Sequence, residues 1–419
     1  MKLNLIEKYV SNNLINCLLP LAVGLQLSKD NRELSLLAFF TWIVLQLSAR
    51  IVALISNGST RETWLSWTAI LGLILFNARN IILRDNYRGS TIFLLIGVGL
   101  LLGSQFDQKQ WRNLSTWLSI SIIPIALFFA IQLGIQEDWS FKSFYGTYYA
   151  LTQPSMGSIN RLATLATFST IASWYNATLA NKIWSKCCYL LLAAIGYWIT
   201  LGTDSRMAIA AIPVAIAIPW LGLRLAHRLS RKQLIFSLFT AVSLFALGAW
   251  ELVIKAGLNS DHMRLRMANC WIRQGMFRSL KRIWFGSGFD TSSIREACHY
   301  VRPGQSFGHA HNTFAQIAGN HGLLGLIVLF AFTTLIVHGL WRQLHHFEQR
   351  LDWSPWSSTV WAEISLGLNL ALLFCALSTT VQEFSPVNQL LIGLVGGSAC
   401  VALPTEKPPH QGMLENQTK

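Results

Sequence analysis

The 419-residue chain is 52% hydrophobic and only 12% charged, and long apolar runs recur from end to end, which excludes a soluble globular domain. No run alternates with the period of two that a membrane barrel needs, so the apolar runs read as spanning helices of ~20 residues each. A formal net charge of +14 would suit nucleic acid, but the Lys and Arg residues are spread over short connections between apolar runs, a pattern of membrane orientation and anion binding.

Residues 1–13 are polar, and the apolar run from Leu14 shows no small-residue cleavage site, so it reads as a retained anchor. Candidate spans follow at 14–28, 34–56, 64–83, 91–106, 115–135, 160–180, 187–203, 205–223, 233–256, 311–340, 358–381 and 387–403. These predict an all-α polytopic bundle of about twelve spans. They form one transmembrane domain over 1–403, and the polar tail 404–419 reads as cytoplasmic and disordered.

Orientation follows the basic residues of the short connections. With the N-terminus inside, Arg61, Lys109, Arg112, Lys182, Lys186, Arg224, Arg228, Arg231, Lys232, Arg342 and Arg350 all fall on the cytoplasmic side. Arg79, Arg84 and Arg88 depart from this pattern. The long connection 257–310 then lies outside, where Arg264, Arg266, Arg273, Arg278, Lys281, Arg282, Arg295 and Arg302 face only Asp261, Asp290 and Glu296. Guanidinium groups at an outer membrane face fit phosphate oxygens, whether of a ligand or of lipid headgroups.

Within that loop, residues 269–280 place Trp271, Ile272, Met276 and Phe277 within helical reach, a helix able to lie flat on the interface. The stretch Trp284-Phe285-Gly286-Ser287-Gly288-Phe289 reads as a reversing turn, with Gly286 and Gly288 supplying backbone freedom. Of the seven cysteines, only Cys270 and Cys298 share a hydrophilic loop, where they can either be oxidised together outside the cytoplasm or remain thiols.

Two helix starts on the outer side carry cations next to polar groups: Asn160-Arg161, and Arg206 after Gly202-Thr203-Asp204-Ser205. An Arg at such a place snorkels, pairs with a neighbour such as Asp204, or reaches an anion. His311-Asn312 opens the next span. If that span is helical throughout, residues 311, 315, 318, 322 and 325 share a face of His, Ala, Ala, Gly and Gly, a titratable ring above a groove of small residues. His299, His309 and His311 have no carboxylate or thiolate at metal-ligand spacing, which disfavours a metal site. No P-loop, dinucleotide-binding glycine pattern or serine nucleophile elbow occurs.

His311-Asn312, nine residues, then Gly322-Leu323-Leu324-Gly325 resembles the signature of the O-antigen ligase family, at the position that family gives it after a large outer loop. Ser205-Arg206 and Trp284-Phe285-Gly286-Ser287-Gly288 resemble two further elements of the family, whereas the first 150 residues are similar only in apolar character. The resemblance implies a GT-C-like membrane glycosyltransferase without metal or cofactor. It would move a glycan from undecaprenyl diphosphate to lipid A core or another acceptor at the periplasmic face of the inner membrane. His311 would act as base, and Arg206 and Arg266 would hold the diphosphate. Arg264, Asn312, Arg282 and Asn160 would bind substrate, and Gly286, Gly288, Gly322 and Gly325 would be structural. The family places an Arg four residues before a Trp, but here Arg266 is five and Arg264 seven before Trp271, so Arg264 remains the alternate. A polymerase shares this chemistry with a different acceptor. A small-solute transporter would suit the span count, but no inverted repeat accompanies it.

Overall fold

In a bilayer each backbone N–H and C=O must be satisfied within its own segment, and the α-helix does this. The computed structural model describes residues 18–25, 87–106, 108–140, 159–203, 205–225, 258–288, 292–301, 310, 312–349, 358–378 and 386–400, with isolated positions between 34 and 45 and at 143. Every regular element among the described residues is helical. They are α1 (Leu18–Leu25), α2 (Tyr87–Gln105), α3 (Gln108–Ile120), α4 (Ile122–Gln136), α5 (Ile159–Leu179), α6 (Ile183–Gly202) and α7 (Arg206–Leu225). After these come α8 (Leu258–Gly275), α9 (Leu280–Phe285), α10 (Ser292–Ala297), a 3-10 turn (His299–Val301), α11 (Thr313–Gln349), α12 (Ser358–Ser378) and α13 (Pro386–Ser398).

Among the described residues, Lys109–Gln136, Ile183–Gly202 and Thr313–Gln343 are long and apolar enough to cross a membrane, and shorter apolar helices occupy Leu95–Ser104, Met207–Trp220, Val360–Ala376 and Gln389–Ser398. Leu127, Ile131, Leu191, Ile327, Phe330 and Val337 project outward from these helices, a lipid-facing surface that would be costly in water. The chain is a multi-pass membrane protein. The expected count of about twelve spans goes beyond the described residues: 64–83 and 233–256 lie outside them, as does the tail 404–419, and 14–28 and 34–56 are described only in part.

Contacts between helices fix their relative directions. Ser115 bonds Asn176 and Ser121 bonds Ser169, so α3 and α5 are antiparallel. Thr167 reaches Ala208 and Tyr175 reaches Ala215, so α5 and α7 run together. The Tyr175 hydroxyl also donates to the Glu363 carbonyl, and Asn369 and Ser365 reach Val395 and Ser398, which sets α12 against both α13 and the α5–α7 pair. Gln343 donates to the carbonyls of Ser398 and Ala399, and Gly396 faces Phe332 and Ile336, so the later part of α11 runs with α13. The starts of α2, α5, α7, α13 and the spanning part of α11 therefore lie at one end of the bundle.

α5 is unusually polar, yet its buried Thr167, Thr170 and Ser173 donate to carbonyls one turn back, so no hydroxyl is stranded. Among the described residues, α2 and α13 pack closely. Gly99 and Gly103 lie against Gly393 and Gly397, backbone on backbone, where any side chain would overlap the partner. Two Gly-x-x-x-Gly motifs thus face each other, and they bring the helices together through close packing without any hydrophobic drive from solvent. An apolar cavity lined by Trp111, Tyr175, Trp361 and Leu394 lies toward the other end of the bundle from these helix starts, away from the candidate site.

Candidate active site

α8, α9, α10 and the 3-10 turn build a module of their own. α8 buries Met267, Cys270, Trp271 and Gly275 and exposes Arg264, Leu265, Arg266 and Arg273. Cys270 and Cys298 form a disulfide, Cα to Cα 5.9 Å, joining α8 to the corner between α10 and the 3-10 turn. Ile294, Ala310 and Ala315 complete the apolar cluster around it. This corrects the expectation of an interfacial helix over 269–280. The helix spans Leu258–Gly275, Trp271 is fully buried against α11, and Ser279 caps a new helix through its Oγ, which accepts from the Arg282 amide at 3.3 Å.

α11 is not one regular helix. Gly322 has φ 60° and ψ −151°, a conformation open essentially to glycine alone, so the segment breaks there. Residues before and after the break cannot share the continuous face expected for 311–325. Across such a break the carbonyls of the preceding turn need other donors. The Ser287 and Gly288 amides supply them, donating to the carbonyls of Gly319 and Asn320 at 2.9 Å each. Gly286 and Gly288 both have positive φ, and a Cβ on Gly286 would overlap the Asn320 carbonyl. One on Gly322 would lie 2.6 Å from the Gly286 nitrogen and the Ile283 carbonyl oxygen. The two glycine motifs are thus the two sides of one seam. Gly325 lies beyond the break and faces the side chains of His321 and Ile317, which precede it.

A second contact locks the seam: the Trp271 indole Nε1–H donates to Asn320 Oδ1 at 3.0 Å, both groups buried. Gly275 meets Gly319 backbone to backbone, while Met267, two turns earlier, shares its cluster with Ala315 and Ala310. α8 and the first part of α11 therefore run in the same direction. Trp271 and Gly275 of α8 meet α11, and by helical spacing the exposed Arg264 falls on their stripe. Arg266, also exposed, sits nearly half a turn away, on the stripe of Cys270 and Arg273, toward the disulfide.

At the head of α11, Asn312 is the N-cap. Its Oδ1 accepts the Ala315 amide at 3.0 Å, and its carbonyl accepts the Gln316 amide at 3.0 Å. Gln316, 1% exposed, reaches back so that its Oε1 accepts the Ala310 amide at 2.6 Å. The residue between these two anchors, His311, lies outside the described residues. Arg282 has a structural task, since its Nη1 donates to the Gln274 carbonyl at 2.9 Å and so holds the α8–α9 corner. Ser205, whose carbonyl accepts the Ile209 amide at 2.9 Å, precedes α7, and Arg206 is the first residue of that helix. Asn160 is the second residue of α5. The structure thus brings the chain positions of Asn160 and Arg206 to the end of the bundle where the spanning part of α11 begins. Exposed Arg264, Arg266, Arg273, Arg278, Lys281 and Arg295 make the module strongly basic.

Sequence reasoning passed over Gln316 and Asn320. The signal was present: Asn312, Gln316 and Asn320 recur every four residues in an otherwise apolar stretch, a polar stripe next to the small-residue face chosen instead. Residues 189–330 match the family model described as O-antigen ligase. A comparison with curated proteins found no match.

Proposed function

From an O-antigen ligase domain at residues 189–330, we propose that the chain is a lipid-dependent, inverting glycosyltransferase. It moves a glycan from undecaprenyl diphosphate to lipid A core or another acceptor at the periplasmic face of the inner membrane. The observation that carries this reading is the convergence of helix starts: α5 with Asn160, α7 with Arg206 and the spanning part of α11 all begin at one end of the bundle. The module carrying His311 and the exposed arginines is seated there through the Gly286–Gly288 seam. The disulfide supports an oxidising, outer location for the module.

In the proposed step, an acceptor hydroxyl attacks the anomeric carbon from the side opposite the diphosphate. The bond from that carbon to the phosphate oxygen breaks, and the configuration inverts. His311 takes the hydroxyl proton as general base. The leaving undecaprenyl diphosphate gains negative charge, which Arg206 and an arginine of α8 neutralise. Arg264 shares a helical stripe with Trp271 and Gly275, the α8 residues that meet α11, which favours it over Arg266 for this second role. Asn312 acts as the cap that sets where His311 enters the helix, and Arg282 as a brace of the α8–α9 corner.

Transfer by the purified chain in nanodiscs, from an undecaprenyl diphosphate-linked glycan to lipid A core, tests the proposal. Arg206→Ala and His311→Ala are each expected to lower kcat by about 100-fold or more. Wild-type rates in either variant would remove that residue from the mechanism. Product made only when a second lipid-linked repeat is the acceptor would assign the chain to polymerisation.

A further inference from the structure

The buried polar atoms at the head of α11 do not all balance. Gln316 lies one turn past the Asn312 cap and uses its Oε1 to hold the Ala310 amide. Its Nε2, equally buried, has no hydrogen-bond partner among the described residues. A primary amide carries two N–H donors on that nitrogen, and leaving both unmet in a buried place is costly unless a ligand meets them. The nitrogen is bonded to the same carbon as Oε1, so it lies within a few ångströms of Ala310, next in the chain to His311.

The geometry points to Gln316 as a substrate-binding residue, its Nε2 donating to a hydroxyl oxygen of the acceptor sugar held at the start of α11. The inference rests on the transfer reading above. A neutral amide matches a neutral hydroxyl, whereas the donor diphosphate would recruit the guanidinium groups nearby. The residue is anchored at one end and presents the other, so the hydrogen bond is preorganised. The Ala310 amide fixes the side chain, and the side chain in turn holds the backbone just before His311.

The test measures transfer by purified wild type, His311→Ala, Gln316→Glu and Gln316→Leu from undecaprenyl diphosphate-linked glycan to lipid A core, varying each substrate separately. An active wild type with an inactive His311→Ala upholds the transfer reading on its own. In Gln316→Glu one oxygen still accepts the Ala310 amide, and the other donates only while protonated. The acceptor KM relative to wild type is therefore expected to rise about tenfold as pH increases through the titration of that carboxyl, with the donor KM unchanged. Gln316→Leu is expected to raise the acceptor KM at every pH and to lower kcat as well. A Gln316→Glu ratio that stays flat near one, a Gln316→Leu acceptor KM equal to wild type, or a rise confined to the donor KM would overturn the assignment.

Discussion

Replacing Gly322 by alanine strikes the seam at its tightest point. An alanine forced to φ 60° and ψ −151° costs about 1–3 kcal/mol in backbone strain alone. Its Cβ would stand 2.6 Å from the Gly286 nitrogen and the Ile283 carbonyl oxygen, backbone atoms that no rotamer change can move away. If the seam opens to relieve the overlap, the Ser287 and Gly288 amides lose their acceptors, at about 1 kcal/mol net for each bond. The total, roughly 3–5 kcal/mol, is a large part of the 5–15 kcal/mol that typically holds a fold. It falls on the module of α8 to α10 and leaves the glycine contacts of α2 and α13 untouched. Gly322→Ala is therefore expected to insert and to be purified, yet to lose most transfer activity. Hydrogen exchange read by mass spectrometry should show peptides covering 283–288 and 313–321 deprotected, with 95–104 and 389–398 unchanged. Gly134→Ala is the control, since its Cβ would meet only the Trp139 ring at 3.7 Å, and it should be neutral. Wild-type exchange at Ser287 and Gly288 in Gly322→Ala would refute the reasoning.

The remaining expectations concern the same module. Reducing or deleting the Cys270–Cys298 bridge, which spans 28 residues, should cost about 3–4 kcal/mol by loop closure. A thermal melt of the Cys270→Ser, Cys298→Ser double variant should drop accordingly, and an unchanged melt would show that packing alone suffices. Trp271→Phe keeps the ring but strands the buried Asn320 Oδ1, so about 1–3 kcal/mol should be lost. In a double-mutant cycle with Asn320→Ala the two losses should not add. Arg264→Ala should depress transfer more than Arg266→Ala, and the reverse order would restore the choice suggested by spacing to Trp271. Leucine at Gly103 or Gly397 should prevent α2 from seating on α13, read as increased protease sensitivity of the inserted protein.

The spanning helices at 115–135 and 187–203 were legible because apolar length alone decides a membrane helix. The pairing of Cys270 with Cys298 was legible as one of two outcomes, since only those two thiols share a hydrophilic loop. The break at Gly322 was not: a glycine among leucines reads equally well as a packing groove, and the sign of φ leaves no trace in the residue name. For the same reason the two glycine motifs looked like separate features, although each exists to accommodate the other. Trp271 was assigned to lipid because its neighbours are apolar. Its indole N–H needed Asn320, 49 residues away, and no local pattern reports so distant a partner. Which residues of α8 meet α11 is likewise a fact of tertiary packing that spacing to Trp271 does not report.

The glycine-lined contact of α2 with α13 bears on how the chain is made. α2 is complete by Gln105, but the helix that fills its groove begins only at Pro386. During synthesis that groove waits for its partner while nearly three hundred further residues are added, on the order of fifteen seconds to a minute at usual translation rates. A chain that stops short of α13 would leave the glycine face of α2 unpaired, so closure of this contact waits for residues 386–398.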